Sequence, residues 1–178
     1  MRTGSWGAGI HNFRDSDIFL AVGNNPMVSS YSPLGGLQGT DPFTKMREAK
    51  KRGMKLIVID PRKTEFASSA DIHLQPIPGE DPTLLAGILN VIFENSVYDH
   101  EFCDKWVDLS TLNSLINSVS RFTPKYVSKR CDIDQGEMIE AALMFANEVK
   151  GGAGTGTGPS MAPHSSLTEH LIICLNVV

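Results

Sequence analysis

Three short motifs carry side chains that could do chemistry. They are Gly23-Asn24-Asn25-Pro26, Asp60-Pro61-Arg62-Lys63-Thr64 and Gly79-Glu80-Asp81. A glycine at 23 lets a backbone approach a ligand closely, and the amides of Asn24 and Asn25 both donate and accept hydrogen bonds. That combination suits a phosphate or a sugar. Asp60 could accept from ribose hydroxyls, as acids at strand ends do in dinucleotide-binding folds. Pro61 stiffens the chain after it, and Arg62 can pair with a phosphate or stack on a base. Asp81 offers two carboxylate oxygens to a pair of donors. Each motif also has a purely local explanation: a strand-to-loop turn at 23–26, a capped turn with a surface ion pair at 60–64, and a helix N-cap at Asp81. A fourth segment, GGAGTGTG from Gly151 to Gly158, looks like a phosphate cradle, yet it fits neither G-x-G-x-x-G nor the P-loop pattern. Its glycines could serve a close approach or only a flexible loop.

These motifs matter only if the fold gathers them. The run Asp17–Val22 (DIFLAV) predicts a buried strand, and Tyr31–Thr40 reads as an extension of the loop after it. From Asp41 to Arg52 the spacing is helical, with Phe43, Met46 and Ala49 on the inner face and Gly53 as the stop. KLIVI (Lys55–Ile59) predicts a strand buried on both faces, and ADIHLQP a weaker one. Asp81 is the expected N-cap of a helix that has Pro82 first and runs to about Glu94. Phe102 and Trp106, at i and i+4, are expected in the core. Thr123-Pro124 repeats the cap-then-proline start. Asp134 and Glu137 resemble a capping box for a helix burying Met138, Ala141, Ala142, Phe145, Ala146 and Val149. Gly151–Ser166 is expected to be loop, and a last helix begins at Ser165 or Ser166. Strands alternating with helices predict an α/β, Rossmann-like fold: a mostly parallel sheet flanked by helices. In such sheets ligands bind outside the carboxyl ends of the strands, where all three motifs fall.

Composition narrows the classes. A chain of 178 residues, 41% hydrophobic and 20% charged, is long enough for one sizeable core. A net charge of −4 gives no reason to expect nucleic acid or an anionic membrane. Half of the 16 basic residues lie between Lys45 and Lys63, which reads as a solvated helix face. Cys103, Cys131 and Cys174 form no Cys-x-x-Cys pair, so they read as buried free thiols and not as iron–sulfur or zinc ligands. The five histidines lack metal-ligand spacing, and His164 is placed for a ligand contact only by its glycine-rich surroundings. No run is long enough to span a bilayer and no secretory signal is visible, so the compartment stays open with the cytoplasm favoured. The apolar end HLIICLNVV suggests a chain cut from something longer.

Taken in order, Gly-x-Asn-Pro, Asp-Pro-Arg-x-Thr, Ala-Asp, Pro-Gly-x-Asp, Tyr-Asp-x-x-Phe and Thr-Pro-x-x-Val resemble the molybdopterin oxidoreductase family. This is the dimethyl-sulfoxide reductase superfamily, which includes formate dehydrogenases and nitrate reductases. The resemblance covers nearly the whole chain, 1–178, and departs at Glu80, where the family usually carries threonine. It implies molybdenum, or tungsten, held by two molybdopterin guanine dinucleotides (bis-MGD). It implies that Gly23, Asn24, Asn25, Pro26, Asp60, Pro61, Arg62, Thr64, Gly79, Glu80 and Asp81 wrap the guanosine-phosphate ends of that cofactor. By the same resemblance Gly154, Gly156 and Gly158 lie near the pterin, and Asp81 meets the paired N–H donors of guanine. Nothing here matches the family's 4Fe–4S domain, its metal ligand or its C-terminal dinucleotide-binding barrel. The chain therefore resembles a central fragment, catalytically silent alone, whose partners are the remaining domains of the parent subunit and electron-transfer subunits. The alternatives are a cofactor-free structural domain of a respiratory-chain subunit with the same fold, or an ordinary nucleotide-binding domain.

Overall fold

The computed structural model describes residues 16–29 and 42–178. The loop expected over Tyr31–Thr40, the helix start at Asp41 and the glycine-rich N-terminal stretch lie outside the described residues.

Among the described residues, four parallel strands form one sheet in the order β3-β2-β1-β4. They are β1 (Ile18–Val22), β2 (Lys55–Ile59), β3 (Ile72–Leu74) and β4 (Gly151–Thr155). Register pairs Val22 with Ile59 on one side and with Thr155 on the other, and Ile59 with Leu74. All four strands therefore end level, and whatever follows them shares one edge. The order reverses beside β1, since β1→β2→β3 runs one way and β4 lies on the other side. Open parallel sheets place their ligand crevice at such a reversal.

The apolar runs are continuous because both faces of the sheet are covered. Ile18, Leu20, Val22, Ile57 and Ile59 face one core, shared with α3 (Asp81–Glu94), α7 (Gln135–Ala146) and α9 (Ser165–Leu175). Phe19, Ala21, Leu56 and Val58 face the other, against Met46 and Ala49 of α2 (Pro42–Lys51), with Met54, Phe66 and Ala67. The β2–β3 crossover contains only a 3₁₀ turn, Ala67–Ser69. Helix α3 is buried from Asp81 through Ile92, because α5 (Leu109–Val119), α6 (Pro124–Cys131), α7 and α9 all pack on it. A Cβ at Gly87 of α3 would lie 2.7 Å from Val127 Cγ2, so that glycine lets α6 approach. Two short helices, α1 (Pro26–Ser29) and α8 (Thr157–Met161), follow β1 and β4, and α4 (His100–Trp106) precedes α5.

Several local expectations hold. Gly53 takes φ +96° beyond α2, Thr123 accepts from the Tyr126 N–H, and Asp134 accepts from the Glu137 N–H. Cys103 and Cys131 are buried free thiols as expected, whereas Cys174 is free but only half-buried, and burial pushes the Cys131 thiol up to about 12.

Others do not. Phe43 is exposed on α2, while Met46 and Ala49 are buried as expected. Trp106 and Phe102 are exposed on α4, because that helix packs through Cys103. Val149 lies beyond the end of α7 and is 90% exposed. Helices α1, α5 and α8 have no counterpart in the sequence reading.

The largest correction is at Gly151–Thr155, expected as loop and found as strand β4. Pairing to β1 overrides the low strand propensity of glycine, because the backbone ladder needs no side chain. Asn176 completes it. Its Nδ2 donates to the Ala153 carbonyl at 2.9 Å and its Oδ1 accepts from the Ala153 N–H at 2.7 Å, standing in for a further strand on the outer edge.

Candidate functional site

The four strand ends deliver four loops to one edge. After β1, the Gly23 N–H still donates to the Ile59 carbonyl at 2.8 Å, and Gly23 turns with φ +57°. The space above it is occupied by protein: a Cβ on Gly23 would lie 2.2 Å from Pro159 Cδ. A Cβ on Gly156 would lie 2.5 Å from the Gly23 carbonyl oxygen and 2.8 Å from Asn24 Cα, and Gly158 donates to the Gly23 carbonyl at 3.4 Å. Glycines 23, 156 and 158 thus interlock the β1 and β4 loops at the point of reversal. The close approach expected at Gly23 is an approach of Pro159. Gly154 sits inside β4, paired with Ala21.

Asn24 is 5% exposed, and its Nδ2 is buried without a hydrogen-bond partner among the described residues. Asn25 donates from Nδ2 to Glu65 Oε2 at 3.0 Å, joining the β1 loop to the β2 loop and holding the Glu65 carboxyl below its ordinary range. Pro26 begins α1.

After β2, Asp60 is 6% exposed. Its Oδ1 accepts the Arg62 N–H at 2.8 Å, and its carbonyl lies 2.9 Å from the His73 ring nitrogen. Thr64 is buried and its Oγ1 accepts the Ala67 N–H at 3.1 Å, starting the 3₁₀ turn. Pro61 and Arg62 are exposed, and the Pro61 carbonyl accepts from Gln75 at 3.2 Å. The Asp60–Thr64 motif is therefore a self-braced turn, as the capped-turn part of its local reading anticipated, whereas none of the ion pairs among the described residues involves it. One Asp60 oxygen and the Arg62 guanidinium extend beyond those bonds.

After β3, the backbone turns at Gly79 with φ +94°. The first helical bond of α3 runs from the Leu84 N–H to the Glu80 carbonyl at 3.0 Å, which makes Glu80 the cap position and Asp81 the first helical residue. The capping role expected of Asp81 is thus not the one it has. Pro82 moves correspondingly to the second helical position, where its missing N–H is still harmless. Asp81 is 9% exposed, and among the described residues no other residue donates to its carboxylate. Burial pushes the Asp81 carboxyl up, and the nearby charges of Asp60 and Glu80 push the same way against its own backbone N–H. Asp60 and Asp81, remote in sequence, are close enough to repel.

The Glu80 carboxylate is fully engaged. Both oxygens accept from Arg130 of α6, and Oε2 also accepts from Thr83 Oγ1 at 2.7 Å. The Arg130 guanidinium holds the Glu80 carboxyl below its ordinary range. Sequence reading missed two braces of the edge, Glu65 and Arg130, which lie 40 and 50 residues from the partners they hold. No local pattern marks such pairs. Among the described residues no group of three or more His, Cys, Asp or Glu could hold a metal ion, and no helix is long and apolar enough to cross a membrane.

The edge thus combines an orphaned buried amide donor at Asn24 with a desolvated carboxylate at Asp81. Carboxylates of that kind take paired N–H donors, and amides take phosphate or sugar oxygens. The fold is an open parallel α/β sheet flanked by helices, and sheets of that class take their ligands at this edge.

Comparison with known proteins specifies it further. Residues 3–173 match the family model described as molybdopterin oxidoreductase. The chain is 36% identical over 137 residues to acetylene hydratase of Syntrophotalea acetylenica, covering 77% of this chain and 17% of that protein. It is 33% identical over 138 residues to the F420-dependent formate dehydrogenase subunit alpha of Methanocaldococcus jannaschii, covering 78% and 19%. The solved structure of acetylene hydratase from Pelobacter acetylenicus matches with a TM-score of 0.81 at 30% identity, over 95% of this chain and 22% of that one. The chain belongs to the molybdopterin oxidoreductase family. It spans less than a fifth of the two curated relatives named here, at 17% and 19% of their lengths.

Proposed function

We propose that this domain holds the guanosine-phosphate end of a molybdopterin guanine dinucleotide at its carboxyl edge. Asp81 accepts the ring N–H and exocyclic amine of guanine, Asn24 donates to a phosphate or ribose oxygen, and Asp60 and Arg62 flank the ribose and phosphate. Asn25, Thr64 and Gly79 shape the loops, and Gly154, Gly156 and Gly158 line the approach toward the pterin. The observation that carries this reading is Asp81: a buried carboxylate at the start of α3, released from capping and given no donor by another described residue. Burial disfavours the charged form of that carboxylate, and a ligand bringing paired donors offsets part of that penalty.

The residues present fit the group. When bound, the metal of that cofactor, molybdenum or tungsten, supplies a centre that can change oxidation state. This chain contributes binding and orientation. In the parent subunit we place a second guanine dinucleotide, a 4Fe–4S cluster and the metal ligand on the remaining domains, with electron-transfer subunits as partners. The chain alone is then catalytically silent.

The test uses the full-length protein. Molybdenum or tungsten and acid-released guanine are quantified after purification, and GMP binding is measured by calorimetry on cofactor-free protein. Metal accompanied by guanine, with GMP binding that Asp81→Ala abolishes, supports the reading. A protein that retains neither and ignores GMP overturns it. Dye-linked turnover by the 178-residue chain loaded with metal would refute the silence of the fragment.

A further inference from the structure

Glu80 directly precedes Asp81, and the structure gives its carboxylate a partner. Arg130, eighth in the chain from the start of α6's cap at Thr123 and next to the helix's last residue, donates from Nε to Oε2 and from Nη2 to Oε1, each at 2.8 Å. This is a two-pronged pair, the strong geometry for a guanidinium and a carboxylate. Thr83 adds a third donor at 2.7 Å. The same stretch is tied to the end of α6 through the backbone. The Ile77 N–H donates to the Cys131 carbonyl at 2.9 Å, and the Cys131 thiol lies 3.9 Å from the Glu80 carbonyl.

We propose that the Glu80–Arg130 pair is a positioning clamp, which fixes the turn through Gly79 and so presets Asp81 for the guanine edge. The inference rests on the guanine reading above. The turn needs a brace, because Gly79 sits at φ +94° and contributes no side chain. The Glu80 oxygens are all engaged within the protein, so its influence on a ligand passes through position. Arg130 also offsets a negative charge lying next to Asp81. The side chains are 19% and 53% exposed for Glu80 and Arg130, so solvent screening limits the effect to roughly three- to tenfold in affinity.

The experiment measures GMP affinity on cofactor-free full-length protein for wild type, Glu80→Gln, Arg130→Met and the double variant, with hydrogen exchange followed over residues 79–84. The two single changes alter net charge in opposite directions. Long-range attraction of the phosphate alone would tighten binding for Glu80→Gln and weaken it for Arg130→Met. The clamp predicts that both weaken it by about three- to tenfold, that the double variant is no worse than the weaker single, and that exchange over 79–84 accelerates in all three. Exchange in β1 should stay unchanged. Opposite shifts, additive losses or unchanged exchange over 79–84 overturn the clamp. Wild-type protein that ignores GMP overturns the guanine reading instead, and the exchange data then decide the clamp by themselves.

Discussion

Replacing Asp81 by asparagine should stabilise the ligand-free protein and damage its nucleotide site at the same time. The carboxyl is raised by burial first, then by the charges of Asp60 and Glu80. A carboxyl raised in the folded state contributes stability that is complete below its unfolded value and is lost as pH rises through the folded value. At pH 7 the ionised side chain therefore opposes folding, and a neutral side chain of the same size relieves that opposition. We expect Asp81→Asn to raise the Tm of this domain's own unfolding transition by about 2–4 °C, corresponding to roughly 1 kcal/mol in a unit of this size. The gain should shrink as pH falls toward the ordinary carboxyl value of 3.8, where Asp81 is itself protonated. Binding should move the other way. The asparagine oxygen accepts one guanine donor, while its NH₂ faces the other with a donor of its own. Losing charge-assisted bonds costs about 1.5–3 kcal/mol, or roughly 10- to 150-fold in the GMP dissociation constant. Differential scanning fluorimetry across pH and calorimetry with GMP read the two effects on one preparation of cofactor-free full-length protein. If Tm and affinity fall together, Asp81 is a structural element of the helix start and the reasoning fails. If affinity is unchanged, Asp81 does not touch guanine.

Three further expectations follow from packing. Asn176→Ala removes both side-chain bonds to Ala153 and should cost roughly 1–3 kcal/mol, with faster exchange of the Ala153 amide as the diagnostic. Gly23→Ala places a Cβ at φ +57° and 2.2 Å from Pro159 Cδ, a penalty of roughly 2–4 kcal/mol in urea unfolding. If loop interlock is the cause, Pro159→Ala in the same chain should recover part of it, and no recovery would refute the interlock. Gly87→Ala should gain about 1 kcal/mol from helix propensity alone, yet the contact 2.7 Å from Val127 Cγ2 predicts a net loss of roughly 1–3 kcal/mol that Val127→Ala reverses.

Much of the scaffold is legible in the chain because local chemistry carries it. IFLAV and KLIVI are apolar at every position or nearly so, which requires cover on both sheet faces, and the structure supplies α2 on one and α3, α7 and α9 on the other. Thr123 and Asp134 are legible as caps because a cap bonds within three residues. The misreadings share another origin. Phe102 and Trp106 obey helical spacing, but spacing does not say whether a neighbouring element covers that face, and here none among the described residues buries them. Glycines in GGAGT read as loop because their intrinsic preference disfavours a strand. The preference was overruled by a partner strand 129 or more residues earlier and by Asn176 on the far side.

The candidate site divides along the same line. By itself the sequence determined which side chains follow which strand, because the motifs directly adjoin the apolar runs, and it determined the family through their order. Tertiary structure alone decided what those side chains are free to do. Level strand ends brought Asp60 near Asp81, helix registry moved the capping position from Asp81 to Glu80, and Arg130 engaged Glu80 from another helix. Gly23 and Gly156 were shown to accommodate protein and not open space, since Pro159 and Asn24 already stand against them. The physical reason is range. Capping and burial patterns act over a few residues, whereas desolvation and charge pairing depend on which distant segments the fold places within a few ångströms.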